Sequence, residues 1–134
     1  MKILGIGNAI VDVICKVEDD FIQKNGLTKS TMKLIFEEKE FKQLLSNLKI
    51  EKTVSGGSVA NSIVGISQLG NNAGFIGKVT DDQFGSNYQE GLKKENVEYF
   101  YDKKKEDLPT GTCLILVTPD TERTMCTLLG TAGK

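Results

Sequence analysis

The sequence predicts an α/β protein in which a small β-sheet is appended to a mainly parallel core. Three observations point there. Apolar runs of strand length alternate with helical patterns as far as Lys94, the texture of a parallel sheet wound with helices. Beyond that point VEYFY, GTCLILV and RTMCTLL follow one another with no helical pattern between them. A length of 134 residues, 39% hydrophobic and 26% charged, is about one soluble domain with a real core.

Taken in order, KILGIGNAIVDVICKV reads as an apolar, β-branched strand interrupted by a glycine-rich polar knot at Gly7-Asn8. DDFIQKNG is a short helix stopped by Asn25-Gly26, and TMKLIF is a second strand. EEKEFKQLLSNLK places Phe41, Leu44, Leu45 and Leu48 at helical spacing, one buried stripe. TVSGG is a short strand running into a glycine pair, and SVANSIVGISQLG is a helix closed by Gly70. AGFIGKV is apolar on both faces, as in a sheet covered by helices on both sides. Thr80-Asp81-Asp82-Gln83 matches a capping box, so a helix is expected to start at Thr80, with Phe84, Tyr88 and Leu92 inward. TPDTE joins the last two strands into a hairpin.

Composition removes several functions. No apolar run is long enough to span a bilayer, and the N-terminal run is broken by Gly5, Gly7, Asn8 and Asp12. The expectation is therefore a cytoplasmic protein with no membrane partner. Seventeen basic against 18 acidic residues, with Lys103-Lys104-Lys105 read as a solvated loop, argue against a nucleic-acid partner. Cys15, Cys113 and Cys126 are widely spaced in apolar runs and read as plain buried thiols. With no histidine there is no Ser-His-Asp triad, no Cys-His pair and no His-ligated metal.

Two glycine-rich runs imitate nucleotide motifs. Gly5-Ile6-Gly7 lacks the third glycine of a dinucleotide fingerprint, since Ile10 stands there and the run stays β-like. LLGTAGK has Leu128 where a P-loop needs its first glycine. The informative signals lie elsewhere. Asn8 and Asp12 are polar in an apolar strand, and a spacing of four places them on one face. Gly56-Gly57 precedes a helix whose first turn carries Asn61, so free N–H groups and glycine backbone would admit a close ligand. The plain alternatives are a loop-capping Asp12 and a tight turn with Ser58 as N-cap. Together, a carboxylate, an amide and glycine N–H groups suit a vicinal diol.

The blocks GIGNAIVD, SGGSVANSIVGISQLG, FIGKVTDDQFG and PTGTCLILVTPDTERTM resemble, in order and spacing, the N-terminal part of the PfkB or ribokinase-like family of sugar and nucleoside kinases. GN-x-x-x-D with GGS-x-x-N is most similar to its adenosine-kinase-like members. The resemblance implies the N-terminal part of a three-layer αβα fold with a β-sheet lid, whose strands fall near residues 10–17, 31–36, 112–118 and 123–129. It implies phosphotransfer from ATP, with Mg²⁺, to a primary hydroxyl of a nucleoside or sugar. Asp12, Gly57 and Asn61 match residues that bind the sugar hydroxyls in that family, and Asn8 and Gly56 belong to the same pocket. A ribokinase- or fructokinase-like sugar specificity and a non-catalytic binding module are the alternatives, and a homodimer through the lid is a further expectation.

The D-T-x-G-A-G-D motif that such kinases use for the catalytic base and anion hole is missing from these residues. Residues 1–134 are accordingly expected to be the substrate-binding portion of a longer protein, without its ATP-binding half, and to be inactive alone.

Overall fold

The first strand pattern is two strands. In a computed structural model, which describes residues 2–134, β1 (Lys2–Ile6) ends before the Gly7-Asn8 knot and β2 (Ile10–Lys16) begins after it. They serve different sheets. β1 lies in a three-stranded sheet and β2 in a five-stranded one, and the chain divides accordingly into two compact units.

The first unit runs to Val11, resumes over Val54–Gly111 and closes with Leu129–Lys134. Its sheet has the order β1-β5-β6, where β5 is Asn72–Ile76 and β6 is Val97–Tyr99, and both pairings are parallel. Helix α3 (Ser58–Gln68) leads into β5, and helix α4 (Gln83–Lys94) connects β5 to β6, the crossover that a parallel pair requires. α3 lies directly on β1. A Cβ added at Gly5 would meet Ile63 Cγ1 at 2.5 Å and Val59 Cγ1 at 2.9 Å, so glycine there sets the helix–sheet distance. Phe75, Val79, Tyr88 and Leu92 are fully buried. The Tyr99 hydroxyl donates to the Gly77 carbonyl, and burial raises its pKa. On the other side of β1, Leu4 and Ile6 are 52% and 71% exposed.

Helix α4 begins later than the capping box suggested. Its N-cap is Asp82, whose Oδ1 accepts from Gly85 N at 2.7 Å. Thr80 instead belongs to an isolated bridge with Lys104, and its hydroxyl accepts from Glu106 N at 2.8 Å. In the lysine run Lys104 and Lys105 are exposed, as expected of a solvated loop, but Lys103 is held. Lys103 Nζ reaches Asp81 at 3.0 Å and donates to Ser86 Oγ at 2.7 Å.

The second unit comprises Asp12–Thr53 and Thr112–Leu128. Its sheet has the order β3-β8-β7-β2-β4, with β3 at Met32–Leu34, β4 at Ile50–Gly56, β7 at Gly111–Val117 and β8 at Arg123–Leu128. β7 and β8 form the expected antiparallel hairpin, while β3 joins β8 in parallel and is only three residues long. β4 is a fifth strand that TVSGG alone did not assign to this sheet. Val13, Cys15, Leu114, Leu116, Cys126 and Leu128 are buried, as are Ile22 of α1 (Asp19–Lys24) and Phe41 and Leu44 of α2 (Glu38–Ser46). Lys33 of β3 pairs with Glu40 of α2 at 2.7 Å. Lys29 bridges Asp19 at 2.6 Å and Asp120 at 2.5 Å, which holds the Asp120 carboxyl down at about 2.

Because α3 rests on β1 across Gly5, Gly5→Ala should overpack that contact and lower stability by about 1–3 kcal/mol. A reduced urea midpoint with an unchanged slope is the expected reading, and an unchanged midpoint would show that α3 moves aside freely.

Candidate functional site

The break between β1 and β2 corrects one expectation. Residues 7–9 lie outside any strand, so the period-two alternation does not run from Asn8 to Asp12, and their shared face does not follow from spacing. Asn8 is an exposed residue of the first unit, and Asp12 is a half-buried residue of the second.

Within the first unit the structure does bring Asn8 to the glycine pair. Gly57 is the N-cap of α3 with φ 97° and ψ 136°, and a Cβ there would clash with the Asn8 carbonyl oxygen. Gly57 accepts the first helical bond, from Asn61 N at 2.9 Å, and no side chain caps the helix start. Gly56 is buried, and its carbonyl accepts from the Tyr88 hydroxyl at 3.2 Å. Asn61 is exposed in the first turn. The outcome is an uncapped helix N-terminus, flanked by two exposed amides at Asn8 and Asn61. N–H groups without an intrahelical partner and the positive end of the helix dipole make such a terminus ready to receive acceptor oxygens.

The glycine at position 57 has a structural cause within the chain. The group closest to its backbone is the protein's own Asn8 carbonyl, and its positive φ disfavours any side chain. Ser58 is the first helical residue and does not act as the N-cap.

Asp12 occupies the half-open face of the five-stranded sheet. Along β2 Ile10, Val11, Val13 and Cys15 are buried, while Asp12 and Ile14, two apart and so on one face, are half-buried. The β7–β8 register adds Cys113 opposite Thr127, Ile115 opposite Met125 and Val117 opposite Arg123. Burial pushes the Cys113 thiol up, and the Asp12 charge adds to that rise. This face is mostly apolar, and among the described residues no cation pairs with Asp12. Burial therefore pushes its carboxyl above the usual value of 3.8. A desolvated carboxylate without a cation beside it is a candidate functional group. Ile14, which shares the Asp12 face, is signalled in the sequence by the alternation Asp12-Val13-Ile14.

The three cysteines are buried thiols, with Cys126 pushed up to about 11 by burial, so none is poised as a nucleophile at neutral pH. Among the described residues no three Cys, Asp or Glu side chains are grouped to hold a metal ion, and no helix is long and apolar enough to cross a membrane.

Comparison with known proteins gives these features a context. The profile of the pfkB family carbohydrate kinases matches residues 6–134. The 5-dehydro-2-deoxygluconokinase of Mesomycoplasma hyopneumoniae strain 232 is 35% identical over 96 residues, 72% of this chain and 27% of that enzyme. A solved probable sugar kinase from Rhizobium etli CFN 42 superposes with a TM-score of 0.85 at 36% identity, covering 98% of this chain and 39% of that one. The solved adenosine kinase from Sinorhizobium meliloti gives 0.84 at 37% identity, over 98% and 40%. The chain thus spans between about a quarter and two fifths of the length of these relatives.

Two predictions follow from the geometry. For Asp12, a folded-state pKa above the unfolded value means that ionisation opposes folding; this cost is present above the folded pKa and vanishes below the unfolded one. Asp12→Asn should raise the melting temperature at about pH 7 and leave it unchanged at about pH 3. Equal melting at both pH values would mean that Asp12 is fully solvated. For Gly57, replacement by Ala should cost more than about 1 kcal/mol in folding stability, whatever it does to ligand binding. A melting curve superposable on that of the parent chain would refute the contact with Asn8.

Proposed function

The chain belongs to the pfkB family of carbohydrate kinases, and from that premise we propose that it is the substrate-binding and lid half of an ATP-dependent kinase that phosphorylates the primary hydroxyl of a nucleoside of the adenosine type or of a sugar. The observation that carries the reading is Asp12, a desolvated carboxylate with no cationic partner among the described residues, set in an apolar sheet face. In this reading Asp12 accepts from two adjacent sugar hydroxyls. Asn8, Asn61 and the N–H groups at the start of α3, with Gly56 and Gly57, are the first unit's residues proposed to bind substrate. Relatives named for adenosine and relatives named for sugars support the two substrate classes equally.

The residues present bind and orient; they do not transfer. Phosphoryl transfer needs positioned positive charge and donors around the moving group. ATP and Mg²⁺ supply the phosphoryl group and its charge neutralisation in such kinases, and among the described residues no acidic cluster is suited to hold the metal. The uncovered apolar face of β1 at Leu4 and Ile6 supports a chain that works as part of a larger body.

Titration calorimetry of the 134-residue chain with adenosine and with fructose tests the binding role. One of them should bind saturably. Asp12→Ala should abolish that binding, since hydrogen bonds to a charged group are worth about 1.5–3 kcal/mol each. Removal of one hydroxyl from the ligand should weaken binding to the parent chain but not to the variant. Equal losses in both proteins would assign Asp12 a purely structural role. ATP turnover by the isolated chain, abolished by Asp12→Ala, would overturn the division of labour.

A further inference from the structure

The backbone passes between the two units four times, after Val11, Thr53, Gly111 and Leu128. On the first-unit side these passages are gathered together. A Cβ on Gly111 would meet Ile10 Cδ1 at 2.7 Å, Leu129 O at 2.8 Å and Ala9 O at 2.9 Å, so the departure of β7 is lodged between the start of β2 and the return from β8. Thr131 N donates to Pro109 O at 2.8 Å and ties that return to the same segment. The remaining passage, at Ser55, is held by α4, where Ser55 Oγ donates to Tyr88 O at 2.9 Å.

One side chain closes this arrangement. The Asp82 carboxylate is the N-cap of α4, but it accepts more than a cap bond. Oδ1 takes Gly85 N at 2.7 Å and the Thr110 hydroxyl at 2.7 Å, and Oδ2 takes Thr110 N at 3.0 Å. The Thr110 hydroxyl in turn accepts from Thr80 N at 3.1 Å, and Thr110 is only 1% exposed. A helix cap needs one of these bonds. The other two fix Thr110, the residue next to the departure point of β7, to the helix that also holds Ser55.

We propose that Asp82 is a latch for the β7–β8 hairpin. By fixing Thr110 it keeps both ends of the hairpin seated on the first unit, so that opening of the hairpin stops at Thr112 and Leu128 and does not travel into the parallel sheet. Charge-assisted bonds are the strong class, and three on one carboxylate make a local rather than a global constraint. The inference needs no catalytic activity and stands independently of the proposed substrate.

Hydrogen–deuterium exchange of the 134-residue chain, read by mass spectrometry, separates the latch from an ordinary cap. Asp82→Ser keeps a cap acceptor for α4 but is too short to hold Thr110. Thr110→Val removes the hydroxyl and leaves the cap intact. Both variants should exchange about tenfold faster at residues 109–112 and 128–131, with the first turn of α4 unchanged, and Thr110→Ser should restore the parent rate. Parent-like exchange at the hairpin ends in both variants would reduce Asp82 to a cap. An equal rise across β1, β5 and α4 would reduce it to general stability. Either result overturns the latch.

Discussion

The approach of the Gly57 backbone to the Asn8 carbonyl is the contact on which the candidate site depends. It joins the end of β1 to the start of α3, and it leaves no room for a side chain. The helix must therefore begin with a glycine N-cap rather than a hydroxyl or carboxylate, and its first N–H groups stay uncapped by side chains. A structural requirement and a binding capability thus have one origin. The same crowding that demands glycine also sets two exposed amides, Asn8 and Asn61, beside an electropositive helix terminus.

Asp12 represents the opposite trade. Nothing in its surroundings improves folding by having a carboxylate there. It shares its face of β2 with Ile14, and burial raises its pKa. Ion pairs elsewhere in the same unit show the contrast. Lys29 lies between Asp19 and Asp120 and lowers the Asp120 pKa, so those charges support the ionised state that solvent already favours. Asp12 and Asp120 are thus opposite cases, one carboxylate desolvated without a cation and the other held ionised by a lysine.

Much of the architecture was legible because it depends on local periodicity and turn chemistry. The stripe Phe41–Leu44, the helix closed before Gly70 and the TPDTE hairpin required only neighbours a few residues apart. The misreadings share one cause. The capping-box pattern at Thr80 is real in sequence, yet Thr80 is drawn into the bridge with Lys104, and Asp82 takes over the cap. TVSGG carries no label saying that β4 completes a sheet whose other members lie near residues 12, 33, 114 and 125. Lys103 looked solvated because Asp81 and Ser86, which hold it, are about twenty residues away in the chain.

The sequence by itself determined the α/β class, the hairpin, the buried thiols and the identity of the polar residues at Asn8, Asp12, Gly57 and Asn61. These follow from side-chain chemistry and short-range spacing, which a chain carries wherever it folds. Only the folded chain shows that the segments on either side of Gly7-Asn8 feed two different sheets. It also decided that the backbone beside Gly57 is the protein's own, and that Asp82 holds Thr110 as well as its helix. The physical reason is that each of these rests on hydrogen bonds and contacts between residues far apart in sequence. Their pairing is selected by how the whole chain closes rather than by any window within it.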